Sequence, residues 1–277
     1  MMDRLLRNAE IRGREATGVC FVDPEKGMVI VKDGKPARDF VYKNEEYLKI
    51  KENLPAIVLG HCRQATKRLN TGPENNINNH PFFAKESGIA MIHNGTIDND
   101  DNWRNTVGQP DGLRNKPESS VDSEVFLAAV ETFYYRLPPE TRNMEDAIDN
   151  ACYTMSGDYT LAFLKEDEPN KVWFVRHDNP LSFAWIPSQK AILFGSTDTI
   201  LESCLEIHKE HLNFFIEKMT IPAVVNDANE DTLVTLEILP EDSKVPFKIT
   251  SRSLDCAAND TRAKHYVHES ISDTVVD

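Results

Sequence analysis

AIVLGHC at residues 56–62 and GIAMIH at residues 88–93 are the two stretches on which the fold turns. Each is a continuous apolar run, too short for a buried helix and of the length expected for a strand covered on both faces. Between them, residues 63–87 are polar and rich in Asn, Gly and Pro. This reads as one long loop joining two buried strands, and loops of that length inside a compact domain usually carry function.

Working upstream, Leu5, Leu6 and Ala9 fall at helical spacing in a segment that runs to Ile11 and is ended by Arg12-Gly13. Residues 17–22 and 28–32 read as strands, and the DPEKG between them predicts a hairpin. Residues 45–51 suit a short helix. Downstream, a polar stretch over 94–120 leads into an amphipathic helix with Val125, Phe126, Ala129, Val130, Phe133 and Leu137 on one face. A further helix is expected over 144–155. Strands are expected over 158–164, 171–176, 182–186, 191–194 and 232–239, with a helix over 197–208 before the last. Strands, then helices, then strands again predict two sheets with helices on their outer faces.

Composition narrows the function. Of 277 residues, 31 are basic and 45 acidic, a formal charge of −14. Such a surface repels phosphate backbones, so nucleic acid is not expected as a direct partner. The hydrophobic fraction of 40% suffices for a core. Five cysteines, at positions 20, 62, 152, 204 and 256, show no paired spacing. An odd, scattered set suits reduced thiols in a cytoplasmic protein. No segment approaches the ~20 apolar residues that cross a bilayer, and the opening MMDRLLRNAEIRGRE lacks the apolar run of a secretory signal. Neither a membrane role nor secretion is expected, so the glycosylation pattern at Asn94-Gly95-Thr96 carries no weight.

The chemistry is expected where the two strands end. The first delivers Arg63-Gln64-Ala65-Thr66 and the second Asn94-Gly95-Thr96. An Asn-Gly step is either a tight turn or a pair of donors, one side-chain amide and one backbone N–H, of the kind a tetrahedral oxyanion needs. Arg63 is either a surface arginine or a planar fork for a carboxylate. Asp122 opens the amphipathic helix, as a cap or first-turn acid or as the partner of an ammonium group. Cys204, His208 and His211 share a helical face at metal-compatible spacing, but no fourth ligand accompanies them. An ordinary amphipathic helix is the plainer reading, and no metal is expected. No phosphate-cradling glycine loop occurs, and no cofactor is expected.

Taken together, seven short segments resemble the class II glutamine amidotransferases in the family's own order. GHCRQAT at 60–66 is similar to its glycine-histidine-threonine-arginine-tryptophan-alanine-threonine signature, and NNHPF at 78–82 to its asparagine-x-histidine-proline step. IHNGTIDN at 92–99 resembles its histidine-asparagine-glycine segment, and VDSEVF at 121–126 its serine-aspartate-threonine-glutamate helix start. RGREATG at 12–18, GDYTLAF at 157–163 and STDTI at 196–200 match its arginine-glycine motif, central strand and late serine-x-aspartate segment. The matches span roughly residues 8–205; each motif is weak alone, and their order makes the set specific.

The resemblance implies an α+β fold, the four-layer αββα sandwich of two antiparallel sheets found in N-terminal-nucleophile hydrolases. It also implies the glutaminase half-reaction, in which the thiol of an N-terminal cysteine attacks the side-chain amide of L-glutamine and the chain's own α-amino group acts as base. By matched position, Arg63 would hold the α-carboxylate and Asp122 the α-amino group. Asn94 and Gly95 would form the oxyanion hole, and Gln64 and Thr66 would line the substrate pocket. His61, His80 and His93 would brace the rim. Gln64 stands where the family has tryptophan and Lys67 where it often has histidine, which bears on lid closure and affinity.

Met1-Met2-Asp3 offers no nucleophile, and the family's cysteine-bearing strand precedes the helix read at residues 1–11. The expectation is an amidotransferase domain over 1–250, truncated at its N-terminus and inactive as it stands, with a disordered tail over 251–277. Cys62 falls in a buried strand and reads as a core residue, not a substitute nucleophile. About 70 residues beyond the amidotransferase region are too few for a second catalytic domain, so the ammonia acceptor would be a separate synthetase. The alternative is a non-catalytic pseudo-amidotransferase that binds glutamine or scaffolds a partner.

Overall fold

The DPEKG segment turns the chain back on itself, so that β1 (Ala16–Asp23) pairs antiparallel with β2 (Gly27–Asp33), Val19 opposite Val31. On the other edge of β1 lies β3 (Leu59–Arg63), also antiparallel, with Ala16 opposite Arg63. This completes a three-stranded sheet in the order β2-β1-β3. The computed structural model describes residues 1–65, 72–186, 189–205, 231–240, 243, 246–254 and 256.

The larger sheet is built from β4 (Phe82–Ala84), β5 (Ile89–Ile97), β6 (Gly157–Lys165), β7 (Lys171–His177), β10 (Thr232–Ile238) and β11 (Phe247–Ser253). Its order is β11-β10-β7-β6-β5-β4, antiparallel throughout. A separate hairpin pairs β8 (Ser182–Ile186) with β9 (Ala191–Gly195).

The period-two alternation of strands explains why β5 reads as a continuous apolar run. Ala90 and Ile92 face the three-stranded sheet, where they join Cys20, Leu59, Ala162, Leu164 and Phe174. Ile89 and Met91 face the opposite way, against α5 (Asp122–Arg136) and α6 (Met144–Thr154), where Phe126, Val130, Ile148 and Cys152 meet Phe163 and Trp173. On the far side of the small sheet, Leu6 of α1 (Met2–Ala9), Phe40 of α2 (Ala37–Lys43) and Tyr47 of α3 (Glu45–Ile50) cover Val19, Val31 and Cys62. Helices, sheet, sheet, helices: the architecture is the expected four-layer α+β sandwich.

Several details differ from the sequence reading. The strand expected from residue 56 begins at Leu59, and the loop over 63–87 contains β4 and a short 3-10 turn at Asn76–Asn78. The strand expected to end at His93 continues to Ile97, because Asn94, Gly95 and Thr96 pair with Thr160, Tyr159 and Asp158 of β6. Asn94-Gly95 is therefore neither a turn nor a loop start. The helix α5 is buried on nearly every side, Leu127, Ala128 and Glu131 included, since α6 and the segment around Leu113 cover the face expected to be wet. Two helices were not expected: α2, although Ala37, Phe40 and Val41 stand at helical spacing, and α4 (Asp100–Arg104), which is too short and polar to show a period. The domain boundary expected at 250 falls inside β11, and the rest of the expected tail, apart from residues 251–254 and 256, lies outside the described residues. Helix α7 (Asp198–Leu205) begins as expected, while residues 206–208 lie outside the described residues. Among the described residues, no helix is long and apolar enough to cross a membrane.

Phe126 is fully buried and sets its ring edge against Tyr159, with centroids 5.1 Å apart. Truncating so large a side chain at the centre of the helix–sheet layer removes apolar burial and leaves a cavity. Phe126→Ala is expected to cost about 3–5 kcal/mol in a urea unfolding titration; a loss below 1 kcal/mol would contradict this packing.

Candidate functional site

Asp122 fixes the geometry of this region. It is the first residue of α5, buried, and its Oδ2 accepts the Ile97 amide of β5 at 2.8 Å. Its Oδ1 accepts the Ser123 amide at 2.9 Å and the Ser123 hydroxyl at 3.4 Å. Asp122 is thus a first-turn acid and not the cap, which is Val121. One carboxylate joins the start of the helix to the end of the strand that carries Asn94 and Gly95.

Arg63 ends β3 and is only 4% exposed. Its Nη1 donates to Asn79 Oδ1 at 3.0 Å, and Asn79 in turn donates to the Pro73 carbonyl and to Asn76 Oδ1. Burial pulls the Arg63 pKa down, while Glu15, Asp122 and Glu74 favour its charge. Arg63 and Asp122 therefore lie in one another's field. Gln64 follows, exposed, and Thr66 lies outside the described residues.

Asn94 sits half-buried in β5. Its Oδ1 accepts from Arg12 Nη2 at 3.4 Å, and its carbonyl accepts from Asn179 Nδ2 at 3.2 Å. Its Nδ2, buried from solvent, has no hydrogen-bond partner. A buried amide donor without an acceptor is costly, and such groups mark places where something else binds. Gly95 beside it has φ +143°, and a Cβ there would stand 2.0 Å from the Asp158 carbonyl oxygen. Only glycine fits, so this peptide is held in one orientation.

Between these groups lies a tier of imidazoles. The rings of His61 and His80 stack with centroids 4.2 Å apart, and His93 follows at 6.3 Å from His80. His61 Nε2 contacts the His93 carbonyl and His93 Nδ1 the Ser123 hydroxyl, both at 2.8 Å. Burial holds all three below the ordinary histidine value, His61 at about 3. They brace the rim as neutral rings, as expected from sequence. Lys32 lies against this tier, donating to the carbonyls of Asn79 and Pro81, and burial lowers its pKa to about 8.

A furrow opens beside Asn94. Among the described residues, β3 pairs only with β1 and β9 only with β8. Gly60, His61 and Cys62 line one side of a cavity of about 120 Å³, and Phe194, Gly195 and Ser196 the other. Ile92, Ala162 and Phe174 line it too, as do Met2, Leu5 and Leu6 of α1. A larger space of about 700 Å³ continues between Val58-Leu59 and Ile192-Leu193. Arg12 and Asn94 mark the end nearest the C-terminus of β3. Of the residues expected to share one hollow, Asn94 alone lines this cavity; Arg63, Gln64, Gly95 and Asp122 do not. Arg63 and Asp122 are related instead through the field that the Asp122 carboxylate exerts on the guanidinium.

The described cysteines are all buried. Cys62 lines the furrow, yet its thiol donates to the Leu6 carbonyl at 3.2 Å and burial raises its pKa to about 12. It is the core residue expected. Of the Cys204, His208 and His211 face, only Cys204 lies among the described residues. Three groups that fix the site were not singled out from sequence as such: Asn79, which holds Arg63, Arg12, which bonds Asn94, and Asn179. The first two stand inside matched motifs, whereas Asn179 carries no local signal.

Residues 66–203 match a family model described as a glutamine amidotransferase domain. Among curated proteins, the chain is 31% identical over 176 residues to glutamine–fructose-6-phosphate aminotransferase [isomerizing] of Clostridium perfringens, covering 64% of this chain and 26% of that protein. The Bacteroides thetaiotaomicron protein of the same name is 26% identical over 247 residues, 88% of this chain and 37% of that one. The chain thus spans about a quarter to a third of the length of these relatives. Among solved structures, glutamine phosphoribosylpyrophosphate amidotransferase of B. subtilis superposes with a TM-score of 0.59 at 16% identity, over 89% of this chain and 45% of that one. A structure described as the allosteric regulatory enzyme of purine biosynthesis gives 0.60 at 17%. At such identities the likeness is one of fold.

The imidazole tier sets an acid limit on stability. A histidine neutral when folded takes up its proton only on unfolding as pH falls below 6.5. Each therefore lowers stability by up to about 1.4 kcal/mol per pH unit below that point, for His61 down to about pH 3. Urea midpoints are expected to fall from pH 6.5 to 5, less steeply in His80→Phe. A midpoint unchanged over that interval would refute neutral, buried rings.

Proposed function

We propose, since the chain belongs to the class II glutamine amidotransferases of the N-terminal-nucleophile superfamily, that its site serves the glutaminase half-reaction and releases ammonia from L-glutamine. The observation that carries the reading is the unpartnered Asn94 Nδ2 beside the Gly95 peptide. In the proposed reaction a cysteine thiolate attacks the glutamine Cδ. The carbonyl π pair moves to oxygen, and the resulting oxyanion is taken by Asn94 Nδ2 and the Gly95 N–H. The intermediate collapses, the nitrogen takes the proton that the α-amino group drew from the thiol and leaves as ammonia, and a thioester remains. Water then attacks the thioester, releasing glutamate and returning the thiol. Arg63 would hold the α-carboxylate and Asp122 the α-ammonium group, with Gln64 and Thr66 beside them.

The nucleophile in this reading comes from an extended segment N-terminal to Met1, lying in the furrow between β3 and β9. Among the described residues both edges there are open to backbone pairing, the lining is largely apolar, and the furrow leads to Asn94. The ammonia acceptor would be a separate synthetase. A second reading, a non-catalytic domain that binds glutamine or scaffolds a partner, is favoured by the burial of every described cysteine.

Ammonia release, followed by a coupled glutamate dehydrogenase assay, separates the two. A protein extended upstream to a cysteine is expected to release ammonia from glutamine, and the 277-residue chain is not. Glutamine binding without turnover by either would favour the second reading. In the active form, Asn94→Ala is expected to lower kcat by about 10²–10³ with little change in KM. Arg63→Ala should chiefly raise KM; an unaltered KM would remove Arg63 from the substrate site.

A further inference from the structure

His177 ends β7, Asp231 stands one residue before β10, and Cys256 three residues beyond β11. The sheet register gathers these distant points at one edge. Thr232 lies opposite Arg176 on one side and Ser253 on the other, and the Leu254 amide donates to the Asp231 carbonyl at 2.9 Å. The side chains converge there. His177 Nδ1 touches Asp231 Oδ1, and the Tyr159 hydroxyl donates to Cys256 Sγ at 3.7 Å. Cys152, of α6, is buried in the same cluster as Tyr159 and Cys256. The ligand atoms of His177, Asp231 and Cys256 all lie within 4.8 Å of one another. The His177 and Asp231 side chains are only 3% and 10% exposed.

We propose that His177, Asp231 and Cys256, with Cys152 as fourth donor, form a structural zinc site that clasps the β10–β11 hairpin to β7 and α6. One nitrogen, one carboxylate oxygen and two sulfurs are the donor set of a borderline-soft d¹⁰ dication, not of calcium or magnesium. Zinc bonds of ~2.0–2.3 Å in a tetrahedron set ligand atoms roughly 3.3–3.8 Å apart, inside the 4.8 Å that encloses the ligand atoms of His177, Asp231 and Cys256. One Zn²⁺ replaces the proton between His177 and Asp231 and the two thiol protons, and three protons pass to solvent. Tyr159 remains as an outer donor to the Cys256 sulfur, the kind of support metal ligands keep. A second grouping around the same ring, Asp158 and Asp178, offers only exposed carboxylates and is the poorer fit.

The clasp reaches the proposed catalytic strand. Two residues after His177, Asn179 Nδ2 donates to the carbonyls of Asn94 and Asp158, at 3.2 and 2.8 Å. A metal that fixes His177 also fixes the residue that holds the Asn94 peptide.

Cobalt reads this site without any assay of activity. Chelator-stripped, reduced wild-type protein is expected to take up one equivalent of Co²⁺, with thiolate-to-cobalt charge-transfer absorption and tetrahedral d–d bands that zinc then abolishes. Zinc should also raise the urea midpoint of the stripped protein. Cys256→Ala should weaken the charge-transfer band, the Cys152→Ala/Cys256→Ala double variant should lose it, and Cys20→Ala, in the other sheet, should keep it in full. Should Cys256→Ala fail to fold by circular dichroism, Asp231→Asn, which keeps a hydrogen bond to His177, is expected to bind Co²⁺ at least about 10-fold more weakly. Substoichiometric uptake by wild type, a band undiminished in Cys256→Ala or surviving the double variant, or unchanged affinity in Asp231→Asn would overturn the proposal.

Discussion

The bond from the Ile97 amide to the Asp122 carboxylate is the constraint on which the site depends. A buried carboxylate must be met by donors, and Asp122 takes them from both sides of a joint: Ile97 in β5 and Ser123 in α5. The strand is thereby fixed beyond Gly95, and its pairing with β6 fixes it before Asn94. Asn94 and Gly95 lie between two anchored points and have no freedom to turn away. The same carboxylate favours the charges of Arg63 and of the His93 ring, so one residue orders the strand, the helix and the local field.

That field explains why the imidazoles beside it are neutral. Arg63 is buried and Lys32 half-buried here, and each is met by oxygens of the Asn79–Pro81 segment. Two cations close together leave no electrostatic room for a third, and burial removes the water that would otherwise stabilise one. His80, whose two ring nitrogens have no hydrogen-bond partner, stacks on His61 as an aromatic spacer. Proton transfer at neutral pH is foreign to rings held so far down, which agrees with a reaction whose base is an amine.

Much of this was legible in the sequence, for identifiable reasons. The hairpin of β1 and β2, the four strands from β6 to β9 and helices α5 and α6 are written in period and turn chemistry, and tertiary packing agrees with them. Arg63, Asn94, Gly95 and Asp122 stood out because motif order selected them, not because spacing alone could. What spacing could not give is equally clear. The Asn94-Gly95 step looks like a turn locally; only its pairing with residues 157–160, some sixty positions away, keeps it in a strand. The exposed face assigned to α5 is buried because the chain from Leu113 returns over it. Asn179 and the His177, Asp231 and Cys256 grouping join points that only the sheet register brings together, and no local pattern records them.

The two sheets meet the site differently. The six-stranded sheet supplies fixed geometry, since β5 and β6 are central, paired on both sides, and hold Asn94 and Gly95 in register. Among the described residues the three-stranded sheet ends at β3 and the β8–β9 hairpin at β9, so each presents an open edge toward the same furrow. Edge N–H and C=O groups seek partners, and an apolar furrow denies them water, so an extended segment is the natural occupant. Gly60 meets Met2 and Leu6 so closely that a Cβ there would stand 2.5 Å from Met2 Cε, which draws α1 down onto β3. With α1 fixed in this way, Arg12 just beyond it reaches Asn94. In the proposed reaction, a strand entering the furrow would therefore find its oxyanion donors already set.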